Sequence, residues 1–364
     1  MWSTAFTGRM STLNAQQRML FPLRNHSETA KRQLSKALLF GICTGVAILA
    51  PDDTNVLRMV HATLQGVYAK NVLLSRTQFA IVMETGVQWK AEQLHDRVKY
   101  TLQCLQLSSI DLLLLNAQSL SIPESSSTSE RKRITLHYWQ QMIAIQSAGL
   151  VSHIGVSNFT FQQVEFILTV FAEHPPTAFA LAASPIPSSS SVKEPHCTRL
   201  ATASSFAHGK GMDVILRFPF RALETMPLAS RDNWKRLAHA IAQKHRAQSF
   251  QVAITHEADK EPFQMQQRSM GDTLALQSPL QIVMRYLMQR GVVVIPMASD
   301  FESESSNEEN LDDEECHELF YALLHPFTAL APSYSANQLY SSVLSEEDLV
   351  AIDHTLRLEC HPAP

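Results

Sequence analysis

The sequence contains no apolar run of the roughly 18 residues that a membrane-spanning helix requires, so no helical span is expected. Its five cysteines (Cys43, Cys104, Cys197, Cys316 and Cys360) form no C-x-x-C pair and no metal-ligand spacing. An odd, sparse set of this kind reads as reduced thiols in a cytoplasmic protein, each a small buried hydrophobe. His196-Cys197 and Cys316-His317 lack further partners at ligand spacing, so no metal site is expected. The chain also lacks G-x-S-x-G, a P-loop and G-x-G-x-x-G, which removes the signatures of a serine hydrolase, a P-loop nucleotidase and a Rossmann dinucleotide fold. No acidic residue precedes Glu28, whereas Arg9, Arg18 and Arg24 lie among Ser and Thr. That composition faintly resembles a mitochondrial transit peptide, but without an amphipathic arginine face it reads as a surface extension. A net charge of −4 argues against a general nucleic-acid surface.

What is present is an ordinary globular composition, 45% hydrophobic and 18% charged over 364 residues. That length accommodates one large α/β barrel, which needs about 250 residues plus insertions. Ser27 is placed to cap a helix running to Gly41, and Val56, Met59, Val60 and Leu64 recur at helical spacing after Asp53. Strands are expected over Gln78–Met83, Ile110–Leu115, His153–Ser157, Ala178–Ala183 and Asp213–Phe218. Helices are expected over Ala91–Leu105, Ile134–Ala148, Phe161–Phe171 and Leu200–His208. The almost wholly apolar Ile110–Leu115 suits a parallel sheet covered on both faces. Regular strand–helix alternation favours a (β/α)8 barrel over a sandwich.

Residues 1–40 read as an N-terminal extension with its helix, and 41–364 as a single barrel. Two stretches interrupt it: a Ser/Pro loop at 185–195 and an acidic insertion at 300–318. The insertion carries Glu302, Glu304, Glu308, Glu309, Asp312, Asp313, Glu314, Glu315 and Glu318 without a Lys or Arg.

Four segments carry a more specific signal. They are Ile110-Asp-Leu-Leu-Leu-Leu-Asn116, Gly149-Leu-Val-Ser-His-Ile-Gly-Val-Ser-Asn-Phe159, Ser278 through Pro296, and Leu344-Ser-Glu-Glu-Asp-Leu-Val-Ala-Ile-Asp353. In order and spacing they resemble the aldo-keto reductases, (β/α)8 barrels that reduce carbonyls with NADPH. The resemblance covers about residues 75–300 and 343–356. It implies four catalytic groups at the C-terminal ends of early strands: a tyrosine acid, a lysine paired to an aspartate, and a histidine. The lysine's charge lowers the pKa of the phenol, ordinarily near 10, so that it gives up its proton readily.

None of the four is at its expected place. Asn116 ends the strand that reads D-L-x-L-x-H in the family. Glu84 ends Phe79-Ala-Ile-Val-Met-Glu-Thr85, where the pattern F-I-x-T-K places the lysine. The nearest match to I-D-T-A-x-x-Y-G is Ile48-Leu-Ala-Pro-Asp-Asp-Thr-Asn55, which puts Leu49 and Thr54 at the aspartate and tyrosine positions. Under any shift no tyrosine occurs before Gly66. A carboxylate in place of the ammonium reverses the electrostatic effect on a phenol. Taken as bare residues, Glu84 and Asn116 read as polar groups on the barrel rim.

The cofactor positions differ as well. Ser157 and Asn158 match the pair that holds the nicotinamide amide in the family. Its glutamine falls at Ala180, and the aromatic that stacks on the ring falls at Arg217. After Ile295-Pro296 the family continues with basic residues that clamp the 2′-phosphate of NADPH. Here the chain enters the acidic insertion, whose carboxylates would repel a phosphate within a screening length of about 8 Å.

The losses resemble the noncatalytic branch of the family, the regulatory (modifier) subunits of glutamate–cysteine ligase. The resemblance rests on the glutamate ending Ile81-Val-Met-Glu84, the helix opening His26-Ser-Glu28, and the pair Tyr138-Trp139. It implies no cofactor, no catalytic residue, and a heterodimer with the ligase's catalytic subunit in glutathione biosynthesis. Two alternatives stand beside it. One is a divergent NADP-dependent aldo-keto reductase, favoured by Gly155-Val-Ser-Asn-Phe159 and Arg290–Pro296. The other is a pseudoenzyme with a different partner.

Overall fold

The computed structural model describes residues 19–24, 26–39, 43–86, 89–120, 122, 125–181, 200–217, 233, 236–241, 243, 244, 279–296 and 344–358. Residues 1–18, the Ser/Pro loop at 185–195, and the acidic insertion at 300–318 lie outside them. Eight parallel strands follow one another around a single sheet in chain order. They are β1 (Leu20–Leu23), β2 (Gly45–Ile48), β3 (Ala80–Glu84), β4 (Ile110–Asn116), β5 (Val151–Ser157), β6 (Ala178–Leu181), β7 (Asp213–Arg217) and β8 (Val292–Ile295). Met19 bridges Val294, so the sheet returns on itself as a nearly closed barrel. Helices α1 (Glu28–Leu39), α2 (Thr54–Lys70), α3 (Leu94–Leu105), α4 (Thr128–Ser147), α5 (Phe161–Val170), α6 (Leu200–Gly209), α7 (Pro279–Gln289) and α8 (Glu346–Leu358) complete the (β/α)8 alternation.

The chain divides into two compact units. The first holds all eight strands, in residues 1–183, 194–217 and 291–296. The second comprises 184–193, 218–290 and 297–364 and contains α7 and α8. In that unit Ser345 caps α8, with Asp348 N donating to Ser345 Oγ at 3.2 Å and Ser345 N to Asp348 Oδ2 at 3.0 Å. Lys244 Nζ lies 3.0 Å from Asp348 Oδ1, and this hydrogen bond raises the lysine's pKa above its ordinary value.

Pleat alternation sorts the strands into an inner and an outer face. Phe179 contacts the Phe161 and Phe206 rings of α5 and α6, so the odd positions of β6 face the helices and Ala178 and Ala180 face inward. The registers Ser157↔Ala180, Asn116↔Ser157, Glu84↔Leu114 and Ala180↔Ile215 carry that assignment around the ring. Glu84, Asn116, Ser157 and Arg217 therefore all point inward at the C-terminal end. Small residues permit this crowding: a Cβ on Gly155 would lie 2.7 Å from Ala178 O, and one on Gly45 2.2 Å from Ala80 O.

The barrel begins earlier than the sequence reading places it. Residues 1–40 were expected to stand apart, yet β1 and α1 form the first β/α unit, with Leu20 paired to Gly45 and Leu23 to Ile48. Four-residue strands give too little periodicity to recognise, and Pro22 argues locally against a strand. Pro22 is tolerated because Met19 O and Leu23 O accept from Thr44 N and Leu49 N on the β2 side. By alternation the missing Pro22 N–H faces the β1–β8 seam, where among the described residues Met19↔Val294 is the one bridge. Helix α4 likewise starts at Thr128 rather than Ile134, because Ser127 Oγ accepts from Glu130 N at 3.2 Å. Cys43 is fully buried, which pushes its thiol pKa far up and matches its expected role as a small hydrophobe.

At the N-terminal end of the barrel, Asp111 Oδ2 accepts from Ile81 N at 2.6 Å and from Arg76 Nη2 at 2.7 Å, pinning β3 to β4. Asp111→Ala should remove about 2 kcal/mol of stability, since it strands a backbone amide and a guanidinium together. Urea unfolding should show a lower midpoint with an unchanged slope.

Candidate functional site

The C-terminal ends of β3, β4, β5 and β7 meet in one polar network inside the barrel mouth. Glu84, the last residue of β3, is 4% exposed, and Arg217, the last of β7, is 6% exposed. Arg217 Nη1 stands 2.9 Å from Glu84 Oε2 and also 2.9 Å from Oε1, bridging both carboxylate oxygens. In a ring of eight strands, β3 and β7 are four apart. The ion pair thus crosses the barrel rather than following its rim.

Three neighbours complete the arrangement. Ser157 Oγ donates to Glu84 Oε1 at 2.7 Å, and Asn116 Nδ2 donates to Glu84 Oε2 at 3.2 Å. Arg217 Nη2 donates to Asn158 Oδ1 at 2.6 Å, and Asn158 Nδ2 donates to Asn116 Oδ1 at 3.1 Å. Asn158 adopts φ +59°, the left-handed region that asparagine tolerates, and its backbone N–H donates to Ala180 O at 3.0 Å. This turn aims the Asn158 amide at the guanidinium. Each polar side chain bonds to the next, and only Arg217 Nε is left without a partner.

A second layer fixes the network from below. Thr85 Oγ1 accepts from Asn116 N at 3.0 Å and lies 2.9 Å from Ser119 Oγ, which donates to Thr85 O at 2.9 Å. Tyr138 from α4 reaches over both loops, donating to Trp89 O at 3.0 Å and Ser119 O at 3.4 Å. Trp89 Nε1 in turn donates to Asp52 in the β2–α2 loop. Gly86 is required in that contact, because a Cβ there would meet Asp52 Oδ2 at 2.2 Å. Trp139 donates to His174 O at 3.1 Å. Tyr138 thus ties two mouth loops together, while Trp139 holds the α5–β6 loop at the other end of the barrel.

Of the residues singled out by sequence, Glu84, Asn116, Ser157 and Asn158 come together. Glu84 and Asn116 are not rim groups in water; both are buried and bonded. Leu49 directly follows β2 and Thr54 opens α2, so both lie at this end of the barrel but outside the network. Thr54 Oγ1 instead meets the phenol of Tyr100, on α3, at 3.2 Å, and Tyr100 is 48% exposed. The role of Arg217 as the counter-ion was missed. Its signal was two opposite charges each closing an apolar run, Ile81-Val-Met-Glu84 and Val214-Ile-Leu-Arg217. Among the described residues no group of three or more His, Cys, Asp or Glu could hold a metal, and no helix is long and apolar enough to cross a membrane.

A model of the aldo/keto reductase family matches residues 58–318. The chain belongs to that family. The barrel is similar to solved aldo-keto reductases from Bombyx mori in complex with NADP (17% identity, 93% of this chain and 88% of that one, TM-score 0.57) and from Brucella melitensis (16%, 93% and 94%, 0.57). It is also similar to an aldose reductase from Schistosoma japonicum (18%, 92% and 87%, 0.55). At these identities the likeness concerns the fold. No curated protein matches the sequence.

The buried pair sets a clear expectation for mutants. Glu84→Met or Arg217→Met alone should each cost about 3–5 kcal/mol, because each leaves one charge buried without its partner. The double variant should recover most of that loss, as apolar replacements of whole buried pairs commonly do. Additive losses in the double-mutant cycle, measured by urea unfolding, would show that the two charges do not interact.

Proposed function

We propose that this chain is a noncatalytic member of the aldo-keto reductase family that acts by binding a protein partner. The proposed partner is the catalytic subunit of glutamate–cysteine ligase, and the proposed role is that of its regulatory subunit. The observation that carries the noncatalytic reading is the Glu84–Arg217 ion pair across the barrel mouth.

Carbonyl reduction needs a proton donor beside a buried cation. The family lysine position holds an anion, and the nearby cation, Arg217, has both Nη groups committed to Glu84 and Asn158. Thr54, at the tyrosine position, has an aliphatic hydroxyl, a far weaker acid than a phenol. Nor do the residues fit a nicotinamide. The Ser157 hydroxyl is spent on Glu84, the Asn158 amide is spent on Arg217 and Asn116, and a guanidinium stands where a ring would stack. Freeing them would expose a buried carboxylate to an unpaired state, at a cost of several kcal/mol. The choice of partner rests on the sequence features: the terminal glutamate of β3, the helix beginning near Ser27-Glu28, and Tyr138-Trp139.

A second reading, a divergent NADP-dependent reductase, draws on one observation: the Tyr100 phenol lies against Thr54, at the position of the family acid. The two readings separate cleanly. The noncatalytic chain should show no quenching of Trp fluorescence with micromolar NADPH and no turnover of a generic aldehyde. A divergent reductase would show both, with turnover lost in Tyr100→Phe. Independently, affinity purification under native conditions followed by mass spectrometry should recover a glutamate–cysteine ligase catalytic subunit. Its consistent absence would leave the noncatalytic reading standing and end the ligase assignment.

A further inference from the structure

The loop between α2 and β3 presents two adjacent aliphatic side chains to solvent. Val72 is 90% exposed and Leu73 80%; among the described residues the next large hydrophobic is Val350 at 56%. Single exposed hydrophobics are common, but a neighbouring pair at this level is unusual on a well-ordered turn. The turn is ordered by its own hydrogen bonds. Asn71 N donates to Val67 O at 3.0 Å, Leu74 N to Asn71 O at 3.0 Å, and Leu73 N to the Asn71 side-chain oxygen at 3.1 Å. On the far side Ser75 N donates to Gln78 Oε1 at 2.8 Å, closing a capping box. The side chains are held outward on a preformed backbone, which lowers the ordering cost of binding.

Along the chain, the charged residues flanking the pair are basic. No Asp or Glu occurs between Thr54 and Met83, and exposed Lys70 stands two residues before Val72. Arg76 follows, its charge answered by Asp111 at 2.7 Å. We infer that this turn is a docking point for a protein partner offering an apolar pocket bordered by carboxylates. Val72 and Leu73 are its anchors and Lys70 supplies electrostatic complementarity. Because the loop precedes β3, it lies at the N-terminal end of the barrel, opposite Glu84 and Arg217. A partner bound here leaves the barrel mouth uncovered. The inference rests on the protein-partner reading above and locates the contact.

The test titrates the full-length chain with purified glutamate–cysteine ligase catalytic subunit by calorimetry. The variants are Val72→Asp with Leu73→Asp, Lys70→Glu, and the control Val350→Asp. The aspartate pair should weaken binding by at least ~30-fold, the loss a central anchor commonly carries, with an unchanged melting temperature. Lys70→Glu should weaken binding less, mainly through slower association and a flatter salt dependence, and Val350→Asp should bind as the wild type does. Wild-type affinity in the aspartate pair overturns the docking point while leaving the ligase reading intact. Failure of the wild type to bind overturns both. Binding of the wild type to phosphatidylserine vesicles, lost in the aspartate pair, overturns the proposal in favour of a membrane contact.

Discussion

A carboxylate at 4% exposure survives inside this barrel because a guanidinium reaches it from the opposite wall. Desolvating either charge alone costs several kcal/mol, so neither residue is tolerable there without the other. The pair organises what surrounds it. Glu84 takes the hydroxyl of Ser157 and the amide of Asn116, while Arg217 takes the carbonyl of Asn158, drawing four strand ends into one cluster. The left-handed backbone of Asn158, the Thr85–Ser119 layer, and the Tyr138 clamp all serve to hold that cluster in register.

The same geometry shows how the end of a reductase-family barrel can be rebuilt around a buried ion pair. A barrel of this kind derives its stability from interior layers and its helical ring, and assigns reactivity to the residues at one end. The end residues can therefore change without disturbing the fold, provided each buried charge is answered. Here β3 ends in an anion, and the answering charge is on β7. The polar groups at four strand ends satisfy one another, which is the physical basis for proposing that the chain works through its surface.

The parts of the fold that were legible share a physical cause. β4 reads as a strand because six of its seven residues, all but Asp111, pack or bond inside a covered sheet, and α3 and α5 read as helices because their apolar faces repeat every three to four residues. β1 and β2 did not, since four residues carry little periodicity and Pro22 argues against the strand it sits in. The first β/α unit is recognisable only from its hydrogen bonds to β2. Among the candidate residues, Glu84 and Asn116 were identified by position but assigned to the wrong environment. A strand's end can lie in water or beneath a loop, and local sequence does not distinguish the two.

The amino-acid sequence by itself determined the strand–helix alternation from β3 to β7, the family, and the polar residues Glu84 and Asn116 at the ends of β3 and β4. Those are properties of short segments, written in spacing and residue type. Only the tertiary structure decided that Glu84 is buried, that Arg217 is its partner, and that Ser157 and Asn158 are consumed in supporting them. Glu84 and Arg217 are 133 residues apart in the chain, and nothing between them encodes their meeting. Closing the sheet brings β3 and β7 face to face, and at that distance the low-dielectric interior makes the attraction between their charges strong.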